Sequence, residues 1–187
     1  MSKQTTTVLA VVSVACAALL PTVADAQFVR SGGAPDVSFT AAGPAGFKIV
    51  GKSSDLSVSD SQAAVTVSVP LSGLVTGIEL RDRHMKEKYL EVQKYPQAEL
   101  SVSRAALKIP GSGQESSDDA QGTLRLHGQT HPVKFHYKAK RNGDAYSVQG
   151  SMHVNMNDYG INVPSYLGIT VKPDVEVAVK FDVVDKQ

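Results

Sequence analysis

The chain has a single cysteine and no tryptophan among its 187 residues. That cysteine, Cys16, lies in an apolar N-terminal stretch, so the rest of the chain has no disulfide and no thiolate chemistry. Nineteen Lys and Arg face 18 Asp and Glu, for a formal net charge of +1, and no run of basic residues occurs. That balance speaks against nucleic acid and anionic membrane surfaces as partners. G-x-S-x-G, H-E-x-x-H and a glycine-rich phosphate loop are all missing. The expectation is a protein that is not an enzyme and has no cofactor. Five histidines raise a metal reading. His127 and His131 flank a turn and His136 follows on the next strand, but no cysteine or carboxylate completes a ligand spacing, so no metal is expected.

What is present begins with an export signal. Lys3 supplies a positive start, Val8 to Leu20 is an apolar run, and Ala24-Asp25-Ala26 is a cleavage site of A-x-A type. Cleavage after Ala26 leaves Gln27 as the mature N-terminus. An uncleaved anchor is one alternative, and a lipoprotein acylated at Cys16 is another. Ser13-Val14-Ala15 lacks the usual leucine, and the apolar run continues past Cys16. The organisation expected is therefore a signal peptide at 1–26, a flexible leader at 27–35 and one domain at 36–187. Its place is the periplasm or the exterior. It does not span a membrane after cleavage.

From Val37 onward, most segments alternate with period two. Val37, Phe39 and Ala41 form one apolar series, and Val65, Val67, Val69 and Leu71 another. Ala98, Leu100 and Val102 follow, then Leu124 and Leu126, then Val133, Phe135, Tyr137 and Ala139. Tyr146, Val148, Met152 and Val154 precede the last series, Val175, Val177, Val179 and Phe181. Strands with one dry and one wet face are the mark of antiparallel sheets. Asn142-Gly143 predicts a type I′ hairpin turn. Gly111 to Gly122, rich in Ser, Asp and Gly, reads as an exposed loop. The apolar series slips phase between Val102 and Ala105, which predicts a bulge near Ser103-Arg104.

One segment breaks the pattern. Between Thr76 and Leu100 the chain is highly charged and has helical spacing at Met85, Tyr89 and Val92. Asp82 is placed to cap the helix and to pair with Lys86, and Tyr95-Pro96 ends it. One short helix cannot cover a large sheet. The dry face must be buried by closing into a barrel or folding into a sandwich.

Four ordered elements carry a family resemblance. They are Thr76-Gly77-Ile78 with Leu80-Arg81-Asp82 and His84-Met85; Tyr89-Leu90-Glu91-Val92 with Lys94-Tyr95-Pro96; Gly122, Leu124, Leu126, His127-Gly128 and Pro132-Val133; and Asn155, Asp158, Tyr159, Gly160 and Ile161. Together they resemble the YceI-like family over roughly Val37 to Val184. Met156 stands where that family often has an arginine.

The resemblance implies an all-β fold, an eight-stranded antiparallel extended lipocalin-like barrel with a short helix between two strands. It also implies an apolar cavity for a polyisoprenoid, an isoprenoid quinone or a similar long-chain lipid. The expected wall is Val65, Val67, Val69, Leu100, Val102, Leu124, Leu126, Phe135, Tyr137, Val148, Met152, Val154, Val177, Val179 and Phe181. Their modest size favours a cavity over a filled barrel. Arg81, Arg83 and His84 would meet a polar head group. In the alternative, Asp82 caps the helix and the basic groups are solvated or pair near Asn155 and Asp158. An outer-membrane barrel would show the same alternation, but aromatic girdles are not evident and Lys134, Lys138 and Lys140 crowd one strand. The functional alternatives are a lipid carrier or store, and a stress-linked structural or interaction module with an incidental cavity. A homodimer stays open.

Overall fold

Alternating Val, Leu and Phe positions fold into long strands whose apolar faces curl toward one another. The computed structural model describes residues 27–61, 63–166 and 169–186. The expected signal peptide lies outside them. The elements in chain order are β1 (Gln27–Ala42), β2 (Lys48–Ser53), β3 (Ser57–Ser61), β4 (Ala64–Pro70), α1 (Glu79–His84), β5 (Gln97–Ser103), β6 (Glu115–Leu126), β7 (Gln129–Asn142), β8 (Ala145–Asn155), β9 (Ser165–Tyr166), β10 (Ile169–Thr170) and β11 (Asp174–Lys186).

The fold is an antiparallel, curled half-barrel with one short helix between two strands, as expected. Its main sheet has nine strands rather than eight, in the order β2-β1-β11-β8-β7-β6-β5-β4-β3. β9 and β10 form a separate small hairpin. The apolar side chains face the interior, where Val37, Leu124, Phe135, Tyr137, Val154 and Phe181 are buried. Lys134, Lys138 and Lys140 are exposed. This is the reverse of a lipid-facing barrel wall. No described helix is long and apolar enough to cross a membrane.

Several local expectations are corrected. The segment read as a leader, 27–35, is the first part of β1, and Gln27 to Ser31 pair with Lys186 to Asp182 of β11. The register shifts between Ser31 and Asp36, where Gly32 has a φ of 74°. The supposed loop from Gly111 to Gly122 is mostly β6. Its polar residues suit a strand there, because Ser116 Oγ donates to the Lys108 carbonyl at 2.8 Å and Asp118 pairs with the Lys108 ammonium at 2.6 Å. The chain between β5 and β6 thus partners Ser116 and Asp118, while Ala120 on the same face packs against Val102, Phe135 and Tyr137.

The phase slip after Val102 marks the end of β5 and not a bulge within it. A 3₁₀ turn, Arg104–Ala106, takes the chain out of the sheet. The tight turns also differ. Gly143-Asp144 joins β7 to β8, and the positive φ falls on Gly143 alone. The turn with two positive φ values, the I′ pattern, is His127-Gly128 between β6 and β7, at 50° and 76°.

Candidate functional site

Curling encloses an apolar cavity of about 690 Å³, within the ~300–1,000 Å³ typical of small-molecule sites. On β11 the wall runs from Val175 to Val183 in alternate residues. That is roughly 26 Å of strand at the usual rise.

Every expected wall position lines this cavity. β4 contributes Val65, Val67 and Val69, β5 contributes Leu100 and Val102, and β6 contributes Leu124 and Leu126. Phe135 and Tyr137 come from β7, Val148, Met152 and Val154 from β8, and Val177, Val179 and Phe181 from β11. Period two alone put them on one face, because each strand stays in the curled sheet along its length.

The sequence reading missed the part of the wall that has no strand period. Leu74 and Ile78 line the cavity on the way to α1, beyond Leu71 at the end of the β4 series, and Met85, Tyr89 and Leu90 line it on the way out. After α1 the helix widens into a single wider turn, Met85–Tyr89, in which Leu90 N–H donates to the Met85 carbonyl at 2.9 Å. Turns of this type recur at functional sites. Phe47 and Ile49, beside the β1–β2 connection, were missed as well.

Of the three expected head-group residues, Arg81 and His84 line the cavity and Arg83 does not. Arg83 is exposed. Asp82 does not cap the helix either: the N-cap is Ile78, without a side-chain bond. Instead Asp82 holds Thr76. Its carboxylate accepts the Thr76 N–H at 2.7 Å and also the Thr76 hydroxyl. Arg81 completes the knot, with Nε donating to Thr76 Oγ1 at 2.7 Å and Nη2 to the Thr76 carbonyl at 2.8 Å. Burial pushes the Asp82 carboxyl up. The Thr76 hydroxyl and amide, with Lys86 and Arg81 nearby, outweigh it and hold the group below its ordinary value. The basic groups do not pair with Asn155 or Asp158 among the described contacts. Asn155 Oδ1 instead accepts Asn157 N–H at 3.0 Å and caps the Met156–Tyr159 turn.

The charged and basic groups on the cavity wall are Arg81, His84, Lys88 and Lys108, and among the described residues no carboxylate lines it. Lys108 sits at the opposite end from α1. Its hydrogen bond from Nζ to Asp118 holds the ammonium above its ordinary value and the Asp118 carboxyl below. Lys108 N–H also donates to the Tyr137 hydroxyl at 2.6 Å, so that polar atom is occupied.

The remaining motif residues meet behind the α1 end. The Tyr95 and His127 rings lie 4.6 Å apart. His127 Nδ1 lies 3.0 Å from the Tyr159 carbonyl, which can only accept, so Nδ1 carries the proton. Tyr159 is among the most buried side chains, and Gly160 follows it in the left-handed region. Three elements far apart in sequence thus fasten the helical crossover to the barrel wall. Among the described residues no cluster of His, Cys, Asp and Glu is arranged to hold a metal ion.

Comparison with known proteins gives the same architecture. A UPF0312 protein of Pseudomonas putida is 32% identical over 122 residues, covering 60% of each chain. The match therefore spans about 60% of the length of such relatives. The structure of a polyisoprenoid binding domain from Saccharophagus degradans aligns with a TM-score of 0.72 at 18% identity, over 87% of this chain and all of that one. BcnA of Burkholderia cenocepacia aligns with a TM-score of 0.63 at 14% identity, over 79% and 95%. At those identities the likeness is one of fold. The YceI-like domain family model matches residues 31–183, which takes in the half-barrel, the α1 crossover and the turns that fasten it, and the chain belongs to that family.

Proposed function

We propose that this protein binds a polyisoprenoid, an isoprenoid quinone or a similar long-chain amphiphile, for transport, storage or sequestration in the periplasm or outside the cell. It acts as a binding protein and not as an enzyme. The observation that carries the reading is a long apolar cavity whose wall holds cations and, among the described residues, no carboxylate. Such a wall suits a flexible apolar tail with a polar end that is anionic or accepts hydrogen bonds. The polyisoprenoid binding domain of Saccharophagus degradans, with the same fold, supports the tail chemistry.

Export belongs to the same proposal and rests on Ala24-Asp25-Ala26. N-terminal sequencing of the native protein is expected to read Gln-Phe-Val-Arg. A mature form beginning at an acylated Cys16 contradicts cleavage after Ala26.

The test is an organic extract of protein purified without detergent, read by mass spectrometry. The proposal expects one class of long-chain lipid near one-to-one stoichiometry. Repeated empty extracts, from protein that also takes up no added prenyl lipid, favour the interaction module with an incidental cavity.

A further inference from the structure

We propose that the α1 end of the barrel docks onto an anionic lipid bilayer, so that the cavity opens against the membrane surface.

The starting point is a set of large apolar side chains left in water. Phe47, Ile78, Leu80 and Ile169 are 44%, 52%, 47% and 47% exposed. All four also line the cavity, so each belongs to both its wall and its outer lip. They come from three separate segments gathered at one end. Val75 and Lys52 form an antiparallel bridge, which runs the chain before α1 alongside β2 toward Phe47. Lys172 N–H donates to the Ala42 carbonyl at 2.6 Å, which brings the chain after β10 to the same end. Exposed apolar groups gathered this way mark a contact surface.

Charge decides what that surface fits. The lip segments carry Lys48, Arg81, Arg83, Lys86, Lys88 and Lys172. Their acids are Glu79, Asp82, Glu87, Glu91 and Asp174; Asp82 is committed to Thr76, Glu91 lies 3.8 Å from the Lys94 ammonium and Asp174 lies 3.8 Å from His153 Nδ1. The balance is therefore locally positive although the whole chain is close to neutral. The opposite end differs. There Ile109 is the exposed apolar lining residue, and the adjacent Lys108 is neutralised by Asp118. Apolar side chains on segments rich in cations match the boundary between acyl chains and anionic head groups. Each cation near such a surface contributes about a fivefold gain in partitioning. The sequence-level expectation against anionic surfaces rested on overall charge, and the fold concentrates the cations that this average conceals.

The geometry also gives docking a use, and this step alone rests on the lipid-binding reading. A tail passing from bilayer to cavity would cross the lip without meeting water.

The experiment is flotation of the exported protein with vesicles of phosphatidylcholine alone or mixed with phosphatidylglycerol, neither containing prenyl lipid. The protein is expected to float with the mixed vesicles, less so as salt rises. Ile78→Ser with Leu80→Ser should abolish flotation. Lys88→Glu should reduce it severalfold, while Lys138→Glu, the same charge change on the exposed face of β7, should leave it unchanged. Far-UV circular dichroism of each variant checks folding. Absence of flotation with phosphatidylglycerol, or flotation that the lip variants leave intact, overturns the proposal. A protein that floats but yields empty extracts retains the docking surface and loses the carrier reading.

Discussion

The Asp60 carboxylate on β3 accepts the backbone N–H of Phe28 on β1 at 3.0 Å. β1 and β3 share no ladder, so this contact joins two sides of the curled sheet that backbone pairing leaves apart. Gln27 Nε2 adds a bond to the Asp60 carbonyl at 2.8 Å. The Arg104 guanidinium bonds the same carboxylate and lies 4.5 Å from the Phe28 ring centroid.

Asp60 has no exposed side-chain surface, and Arg104 is 21% exposed. Asp60→Ala therefore strands a mostly buried cation and frees the Phe28 amide. The expected cost is ~3 kcal/mol or more, the scale for breaking a buried pair from one side. Denaturant unfolding measures it. A loss below about 0.5 kcal/mol, the scale of a neutral surface change, removes Asp60 as the closure of the sheet.

The His127-Gly128 turn should be less tolerant than the Gly143 turn. Both glycines have positive φ, at 76° and 63°. A Cβ on Gly128 would sit 2.6 Å from Tyr95 Cε1, whereas one on Gly143 meets nothing within 4 Å. Gly143→Ala carries only the left-handed cost of roughly 1–2 kcal/mol. Gly128→Ala adds displacement of Tyr95, and should exceed it by about 1 kcal/mol or more. Equal thermal shifts would show that Tyr95 moves aside freely.

Acid should loosen the hold of α1 on Thr76. The Asp82 carboxyl in the folded chain lies below its ordinary 3.8. Its contribution is therefore complete above that value and is lost as pH falls through the folded one. The Thr76 amide resonance should stay constant from neutral pH down to about pH 5 and then titrate with a midpoint below 3.8. Asp82→Asn should abolish the titration. A midpoint at or above 3.8 contradicts the assigned bonds.

Arg81 and Arg83 should differ, although two residues apart. Arg81 lines the cavity and Arg83 does not. Arg81→Ala should weaken a pyrophosphate-headed prenyl ligand more than a neutral quinone, because the attraction between two opposite charges is lost only with the former. Arg83→Ala should change neither affinity in solution. Equal losses from Arg81→Ala for both ligands would assign it to anchoring α1 alone.

The wall was legible because period two fixes which side chains share a face, and Val65, Leu124 and Val179 needed nothing more. The α1 crossover was visible as a charged interruption, but the partners of its side chains were not. Asp82 looked like a cap from spacing, and only the fold brings Thr76 back over the first turn. β6 looked like a loop because Ser116 and Asp118 are poor strand formers in isolation. Lys108, brought over them by the β5–β6 connection, supplies their partners. Gln27 to Ser31 carried too little alternation to read as a strand, and pairing with the distant end of β11 makes them one.

The most direct measurement is a titration of lipid-free protein with prenyl alcohols of increasing length and one unchanging head group. Each buried methylene offers roughly 0.8 kcal/mol before the cost of ordering the tail. Affinity is predicted to rise stepwise with length and to level off once the tail fills the wall between the α1 lip and Val183. Affinity that does not change with tail length, or that persists unchanged in Val67→Asp, would contradict a tail held in this cavity.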